Sequence, residues 1–278
     1  MLNAVGRFPT LGRAARELYQ PRPIQLYSVG APKTGTQSVA RLFGSRYRGV
    51  HEGTYLAAMD YLARRRAGTV SELELRRWLR RRDVVVWSGC ESSHVLCWFS
   101  DLLRTEFPGS KFIVTVRDCY SWTNSVIDQH LNTRPASGAS PESPYTRLRD
   151  IYYGEKSTAP GDVLTELGEY TLEGYLSYWA SHYTYLLDHL DPTEVLFVET
   201  RHISKRASEI AEFAGVQVQT FTLERAHSHR APKKHNVLGA VDPERVRRGI
   251  VELCAPVAQR LNRVPGLEGV DLLGHGAT

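Results

Sequence analysis

A glycine-containing stretch near the start of the chain, residues 30–38 (GAPKTGTQS), carries the residue types that bind phosphate. Glycines let the backbone turn tightly, so that successive amide groups can converge on one anion. The threonines and the serine add hydroxyl donors, and the start of a following helix adds partial positive charge. The stretch therefore predicts a phosphate cradle, with an ordinary strand-to-helix turn as the alternative.

The residue order in this loop differs from that of the ATP-binding P-loop, in which a lysine directly follows the second glycine and reaches the β- and γ-phosphates. Here Thr36 has that place, and the lysine, Lys33, comes earlier. A strand predicted at residues 83–87 also runs into Ser88 and Gly89 without a carboxylate that could hold magnesium. We therefore expect a nucleotide with a 5′-phosphate and an adjacent transferable group, which disfavours an ATP-dependent kinase.

A second phosphate-binding pattern lies in the middle of the chain. Residues 111–116 (KFIVTV) predict a buried strand that runs directly into Arg117, and Ser125 follows eight residues after Arg117. A guanidinium group can direct two hydrogen bonds at one phosphate, and Ser125 would lie about two helical turns further on. A salt bridge between Arg117 and a carboxylate such as Asp118 is the alternative.

Together these features resemble the PAPS-dependent sulfotransferases, where PAPS is 3′-phosphoadenosine 5′-phosphosulfate. Residues 32–36 (PKTGT) are similar to the family's 5′-phosphosulfate loop, and Arg117 with Ser125 to its 3′-phosphate site. Residues 195–200 (VLFVET) and 210–215 (IAEFAG) resemble its late strand and helix, in the family's order. The resemblance implies a P-loop nucleotide-kinase-like sulfotransferase fold. It also implies in-line transfer of a sulfuryl group from PAPS to a hydroxyl or amine, with release of PAP and without a metal ion.

The resemblance also implies which residues hold the cofactor. Lys33 is the candidate for stabilising the leaving phosphate and the sulfuryl group, because such transfers depend on positioned donors. The family closes a late basic loop over the 3′-phosphate, and residues 229–235 (HRAPKKH) are the comparable segment here. This segment departs from the cytosolic enzymes' Arg-Lys-Gly pattern, so a solvated basic loop is the alternative. The expected cofactor residues are Pro32, Lys33, Thr34, Gly35, Thr36, Gln37, Ser38, Arg117, Ser125, Arg230, Lys233 and Lys234.

The acceptor hydroxyl needs a general base within hydrogen-bond reach, and two positions compete for this role. Glu52, with His51 before it, follows the predicted second strand, where heparan-type and tyrosyl-protein sulfotransferases place a catalytic carboxylate. His94 follows the strand predicted at residues 83–87, where the cytosolic enzymes place a catalytic histidine. We favour Glu52, with His51 as its hydrogen-bonded partner, and keep His94 and a base elsewhere as alternatives.

Strands alternate with helices in the pattern that should position these residues. Short apolar runs predict strands at residues 24–29, 47–50, 83–87, 111–116 and 195–198. Helical patterns occupy residues 36–43, 55–66, 71–82, 98–107, 120–131, 172–190, 204–213 and 243–261. This order predicts an α/β fold, with a central parallel sheet and helices on both faces. Ligands bind outside the carboxyl ends of such strands, where the candidate residues fall.

Length and composition are those of an ordinary globular chain, with 278 residues, 42% apolar and 23% charged. We expect a single domain over residues 1–278, with a helical extension at residues 1–23 and a proline-rich lid or excursion at residues 132–170. Lysine and arginine number 35 against 30 acidic residues, which suggests an anionic partner. The four cysteines have no metal-ligand spacing and are expected to be reduced core thiols.

Several function classes are disfavoured by what the sequence lacks. No stretch approaches the ~18 uninterrupted apolar residues of a membrane span, and no secretory signal pattern is present, so we expect a cytoplasmic protein. The expected partner is a small-molecule, lipid or glycan acceptor rather than nucleic acid. The tyrosines of residues 145–178 could line an acceptor pocket or simply pack in the core. The competing functions are a P-loop nucleotide or small-molecule kinase and a catalytically inactive nucleotide-binding module.

Overall fold

Five parallel strands form the centre of the molecule. The computed structural model describes residues 22–133, 144–221 and 233–274. The strands are β1 (Leu26–Ser28), β2 (Val50–His51), β3 (Cys90–Ser92), β4 (Lys111–Val116) and β5 (Val195–Glu199), in the sheet order β2-β3-β1-β4-β5. β1 is central and the connections from it lead to both sides, so the loop after β1 opens where the strand order reverses. The predicted α/β fold with a central parallel sheet is confirmed.

Helices cover both faces of this sheet because alternate residues of the strands pack to opposite sides. Phe112, Val114 and Val116 of β4 belong to the larger apolar cluster, whereas Ile113 belongs to the smaller one. The helices are α1 (Thr36–Phe43), α2 (Tyr55–Arg66), α3 (Glu72–Val86), α4 (Ser100–Glu106), α5 (Cys119–Thr133), α6 (Pro144–Tyr153), α7 (Val163–Glu166), α8 (Leu172–His189), α9 (Ala207–Ala214), α10 (Pro243–Gly249) and α11 (Ala255–Leu261). Helices α1 and α9 contribute to the smaller cluster, and α2 to α5 and α8 to the larger. A π-helical turn, Ile250–Cys254, joins α10 to α11, so the helix predicted at residues 243–261 is continuous.

The prediction of a strand at residues 83–87 is wrong. These residues form the last turn of α3 and its C-terminal cap. The helix begins at a capping box, where the Ser71 hydroxyl accepts a hydrogen bond from the Glu74 amide (3.2 Å), and strong helix formers carry it onward. Val84 and Val85 are 45% and 41% exposed, so their apolar run is not a buried strand. The strand that occupies this place in the sheet is β3.

The segment predicted as a lid, residues 132–170, contains more regular structure than a long loop. Helices α6 and α7 lie within it, and residues 134–143 lie outside the described part of the chain. The end of α6 packs closely on α8: a Cβ atom added to Gly174 would meet the Tyr153 carbonyl oxygen at 2.1 Å. Whether any part of the segment moves stays a prediction, as does the single domain. Nearly all of the expected N-terminal extension, residues 1–21, lies outside the described residues.

Two further sequence expectations can be compared with the structure. Cys90, Cys97, Cys119 and Cys254 are all buried and free of disulfide bonds, as expected for core thiols. Within the described ranges, no helix has the length and apolar character needed to cross a membrane.

Candidate functional site

The loop between β1 and α1 has a backbone shape that few residues tolerate. Lys33 and Gly35 have φ angles of 66° and 94°, in the left-handed region. A Cβ atom at Gly30 would lie 1.9 Å from the Thr115 hydroxyl oxygen, so only glycine fits there. A left-handed conformation at a lysine is strained, and such strain is common at binding sites. The loop therefore has a defined, preorganised curve.

Neighbouring side chains hold this curve in place. The buried Thr34 hydroxyl is 2.6 Å from the Thr115 hydroxyl, and the Thr34 carbonyl oxygen accepts a hydrogen bond from Thr200 (2.8 Å). The Trp122 indole donates to the Pro32 carbonyl oxygen at 2.7 Å. The side chain of Thr34, expected on the cofactor, thus makes hydrogen bonds within the protein that shape the loop.

The start of α1 leaves backbone amides available for an anion. Gly35 is its N-cap residue and supplies no side chain to cap the helix, and the first helical bond runs from the Val39 amide to the Gly35 carbonyl oxygen (3.1 Å). The amides of Thr36, Gln37 and Ser38 therefore lack helical partners. These amides and the helix dipole give the loop the donors of a phosphate site.

Two cations adjoin this loop. Burial lowers the pKa of Lys33, and the charge of Arg117 lowers it further, while Asp128 opposes the shift. Arg117 uses its Nε to donate to the Ser121 hydroxyl (2.9 Å). Within the described ranges, the terminal nitrogens of Arg117 and the Lys33 amine make no hydrogen bond or ion pair. Lys33 and Arg117 are thus half-buried groups of like charge, and both have hydrogen-bond donors without a partner in the described residues. Such a site favours an anion.

The alternative for Arg117, a salt bridge to Asp118, is not formed; Ser121 lies between the two side chains and hydrogen-bonds to both. The Ser121 amide donates to Asp118 Oδ1 (2.7 Å), and its hydroxyl donates to the other carboxylate oxygen. Ser125 follows one turn later on α5 and is partly buried. Arg117 directly precedes α5 and adjoins Lys33, whereas Ser125 lies near the middle of α5, and their joint role at a 3′-phosphate stays a prediction.

Residues 233–238, which include the end of the late basic segment, lie along α5, where three side chains spaced four residues apart bind their backbone. The Asn124 and Asp128 side chains accept hydrogen bonds from the backbone amides of Leu238 (3.0 Å) and His235 (2.8 Å). Asn132 donates to the Lys233 carbonyl oxygen at 2.8 Å. Asn132 comes seven residues after Ser125, so the Lys233 backbone lies about 10 Å further along the axis of α5 than Ser125 does. Lys233 and Lys234 are exposed, and Arg230 lies outside the described residues.

The two residues expected to compete as general base are hydrogen-bonded to each other. Glu52 follows β2 and His94 follows β3, and His94 Nδ1 lies 2.7 Å from Glu52 Oε1. The His94 amide donates to the same oxygen (3.2 Å), and the Ser93 hydroxyl donates to Oε2 (2.6 Å). Their side chains are 15% and 11% exposed, respectively. We call these two residues the Glu52–His94 pair.

Electrostatics fix the proton in this pair. Burial alone would raise the pKa of Glu52, but the charge and hydrogen bond of His94, with His51 and Ser93, outweigh it and lower the pKa. The carboxylate can only accept, so His94 Nδ1 carries the proton and donates it to Glu52. When the ring is neutral, the other ring nitrogen, Nε2, has a lone pair. The pair therefore has the arrangement of a histidine base with a carboxylate behind it.

Backbone contacts tie the pair to the phosphate loop. The Ser92 hydroxyl donates to the Thr36 carbonyl oxygen (2.7 Å), and the Ser93 amide donates to the Ser28 carbonyl oxygen (2.9 Å). His51, expected beside Glu52, lies with its Nε2 atom 3.2 Å from the Thr36 hydroxyl. The carboxyl ends of β1, β2 and β3 thus meet at one edge, as the parallel sheet predicted.

A buried ion pair lies beside the residues that follow Glu52, and it was not predicted from the sequence. Arg82 of α3 pairs with Glu91 of β3, and its Nε donates to the Thr54 hydroxyl (2.7 Å). The sequence signal for this ion pair is Glu91, a charged residue inside a strand. Because the sequence analysis predicts the strand at residues 83–87, Glu91 is not recognised as a strand residue. This corrects the magnesium argument, since β3 does carry a carboxylate, although Arg82 neutralises it. Among the described residues, no group of three His, Cys, Asp or Glu side chains could hold a metal ion.

Aromatic rings adjoin the His94 ring. The rings of Tyr55 and Tyr152 have centroids 5.7 Å and 5.8 Å from that of His94. Tyr145 stacks on Tyr55 at 5.4 Å. By contrast, the aromatic residues of α8 are core: Tyr175, Tyr178 and Trp179 are at most 2% exposed, as is Tyr170 just before it. Core packing is therefore correct for these four, and Tyr55, Tyr145 and Tyr152 remain as candidates for an acceptor site.

Known proteins offer similarity in chain path only. No protein-family model and no curated protein sequence matches the chain. Similar solved structures include a sulfotransferase from Alicyclobacillus acidocaldarius, at 13% identity, 86% coverage of this chain, 94% of that one and a TM-score of 0.48. The sulfotransferase domain from the curacin biosynthetic pathway shows 14% identity, 78% and 83% coverage and a TM-score of 0.38. The sulfotransferase domain from the Synechococcus PCC 7002 olefin synthase shows 13% identity, 82% coverage of this chain, 84% of that one and a TM-score of 0.37.

Proposed function

We propose that the chain is a sulfotransferase that uses PAPS to sulfate a hydroxyl or amine on a small-molecule acceptor. The observation that carries the proposal is the meeting of two cations, Lys33 and Arg117, that form no ion pair with the described residues, at a left-handed loop and an uncapped helix start. One phosphate needs one such cradle. A nucleotide with phosphates at its 5′ and 3′ positions needs two phosphate sites. The loop with Lys33 offers donors for one, and Arg117 with Ser125 offers donors for the other.

The contacts support a specific division of labour. The amides of residues 36–38 suit the 5′-phosphate, and Arg117 with Ser125 suits the 3′-phosphate. Lys33, at the loop's strained turn, is suited to the oxygen that bridges phosphorus and sulfur. When the acceptor oxygen forms its bond to sulfur, the bridging S–O bond breaks and PAP leaves with the electron pair. A cation at that oxygen stabilises the charge that develops there.

The hydrogen bonds shift the choice of base from Glu52 to the Glu52–His94 pair. Both carboxylate oxygens of Glu52 already accept hydrogen bonds and its pKa is lowered, because His94 and Ser93 outweigh burial, so Glu52 alone is a weak proton acceptor. His94 Nε2 is suited to take the acceptor's proton. Glu52 then orients the ring through Nδ1 and stabilises the imidazolium that forms.

A thermal-shift titration with PAP, compared with ATP and magnesium, tests the proposal. At ligand concentrations near 100 times the Kd, binding stabilises a protein by about 2.7 kcal/mol, which is a rise in Tm of roughly 5–10 °C for a chain of this size. We expect that rise with PAP and a much smaller one in Arg117→Met. Arg260→Met is the matched control, because Arg260 lies on the surface and pairs with Asp188. Stabilisation by ATP and magnesium without any by PAP would point to a kinase instead.

A further inference from the structure

The hydroxyl of Tyr152 is a buried polar group without a partner. Tyr152 lies near the end of α6 and is 8% exposed, and its hydroxyl oxygen makes no hydrogen bond with any described residue. Buried hydroxyls are nearly always paired, because leaving one unpaired costs stability. An exception beside a candidate site therefore calls for a ligand that completes it.

The Tyr152 ring adjoins the Glu52–His94 pair, with its centroid 5.8 Å from that of His94. The Tyr152 ring meets the His94 ring edge-on, with an interplanar angle of 71°. Burial raises the pKa of Tyr152, and the nearby Tyr55 and Glu52 raise it further, which indicates that they are close. Its neighbour Tyr178, with ring centroids 4.5 Å apart, has a partner for its own hydroxyl: His182 Nδ1, at 3.3 Å. Of these two packed tyrosines, Tyr152 is the one whose hydroxyl lacks a partner among the described residues.

The surroundings of the pair are aromatic, and the two helices that supply them, α2 and α6, also line a groove. Tyr55 and the 56%-exposed Tyr145 stack beside His94. An open groove of about 240 Å³ lies between α2 and α6, and its lining includes Leu56, which follows Tyr55 in the sequence. Its lining is mostly hydrocarbon, with one acid and one base: Leu56, Met59, Leu148, Ile151, Asp60 and Arg147. Such a lining suits an uncharged hydrocarbon and gives few partners to a polyhydroxylated sugar.

We propose that Tyr152 is an acceptor-binding residue, and that the acceptor is an uncharged, predominantly apolar alcohol. The Tyr152 hydroxyl donates to the acceptor oxygen, while that oxygen donates its own proton to His94 Nε2. The hydrocarbon part lies against Tyr55 and continues into the groove between α2 and α6. In the transfer step, which rests on the proposed function, the proton moves to Nε2 as the O–S bond forms, and Tyr152 keeps its own proton.

Direct binding of 2-naphthol to the full chain, measured by calorimetry without any nucleotide, tests this inference. Tyr152→Phe removes one hydrogen bond to the ligand, so we expect its Kd for 2-naphthol to rise about 3- to 10-fold. Its Tm should stay equal or rise, since the variant also removes an unpaired buried hydroxyl. Its affinity for PAP should not change.

Tyr175→Phe is the matched control, because Tyr175 is another fully buried tyrosine whose hydroxyl donates to Glu169 Oε2 (2.7 Å). This variant should lower the Tm and leave the Kd for 2-naphthol unchanged. An unchanged Kd in Tyr152→Phe would overturn the role of Tyr152. Binding of cellobiose in place of 2-naphthol by the wild-type chain would overturn the class of acceptor.

The acceptor site and the proposed function fail separately in this design. Binding of 2-naphthol that depends on Tyr152, in a chain that never binds PAP, would support the alcohol site and refute the sulfotransferase. Binding of PAP with no Tyr152-dependent binding of 2-naphthol would overturn this inference and leave the proposed function standing.

Discussion

Replacing Glu52 by Gln distinguishes two roles for this carboxylate: taking the acceptor's proton itself, or supporting His94 as the base. The glutamine keeps the shape of the side chain and can still accept from His94 Nδ1, at the 2.7 Å position of the carboxylate oxygen. What it loses is the charge. A hydrogen bond to a charged group contributes about 1.5–3 kcal/mol and a neutral one about 0.5–1.5 kcal/mol, so the imidazolium loses roughly 1–2 kcal/mol of support. At 1.36 kcal/mol per factor of ten, kcat should fall roughly 5- to 30-fold.

The comparison with His94→Ala makes the test decisive. If His94 Nε2 takes the proton, His94→Ala should lose more activity than Glu52→Gln, and the double variant should be no worse than His94→Ala alone. The assay is the transfer of radiolabelled sulfuryl groups from PAPS to 2-naphthol, with PAP affinity measured in parallel and expected unchanged. Glu244→Gln is the control, because Glu244 is an exposed glutamate of α10 that pairs with Arg247. A larger loss in Glu52→Gln than in His94→Ala, or simple additivity, would refute the pair and restore Glu52 as the base.

The same variant should alter acid stability. The folded state lowers the pKa of Glu52, because His94, His51 and Ser93 outweigh its burial. Glu52 therefore stabilises the fold above its unfolded pKa of about 4.3, and this contribution is lost as the pH falls through the lower, folded value. Urea unfolding of Glu52→Gln should show a weaker loss of stability below pH 4.3 than the wild type shows. Identical acid limbs would contradict the direction of the shift.

Three other changes have defined outcomes. Lys33→Met removes one of two neighbouring cations, so the ligand-free Tm should stay equal or rise while PAP affinity falls roughly 10- to 100-fold; a lower ligand-free Tm would contradict the repulsion with Arg117. Gly35→Ala places a Cβ atom 2.5 Å from Ile203 Cδ1 at a φ of 94°, and should cost about 1–3 kcal/mol in urea unfolding, whereas unchanged stability would mean that the loop adapts. Burial lowers the pKa of His182 to about 3. An unfolded histidine titrates near 6.5, so stability should fall by up to about 1.4 kcal/mol per pH unit below that value. His182→Gln should lose this part of the slope in urea unfolding at pH 5, 6 and 7, and an unchanged slope would assign it to other groups.

Local sequence was sufficient where the chemistry is contiguous. The loop of residues 30–38 follows its strand directly, and β4 is a continuous apolar run that ends at Arg117, so both were predictable. Strand β3 was not, because it contains Glu91, whose charge is neutralised by Arg82 from the preceding helix. The more apolar residues 84–86 favour a strand by composition, although they form the exposed last turn of α3.

The geometry of the base was beyond local reasoning for a similar reason. Glu52 and His94 are 42 residues apart, and each follows a different strand. Sequence therefore identified both but treated them as competitors. Only the register of β2 on β3, which pairs His51 with Ser92, brings the carboxylate onto the imidazole. The support from Asn124, Asp128 and Asn132 along α5 depends on a segment more than 100 residues away, and it was likewise invisible.

A crystal structure of the chain with bound PAP would test the central claim most directly. The account predicts the 5′-phosphate oxygens within about 3 Å of the amides of residues 36–38, and the 3′-phosphate on the Arg117 guanidinium. It also predicts the Lys33 amine at the 5′-phosphate oxygen that would carry the sulfuryl group, on the side facing His94. Density for PAP elsewhere on the molecule, or a nucleotide whose 3′-phosphate does not contact Arg117, would contradict the claim that this loop and Arg117 form one cofactor site.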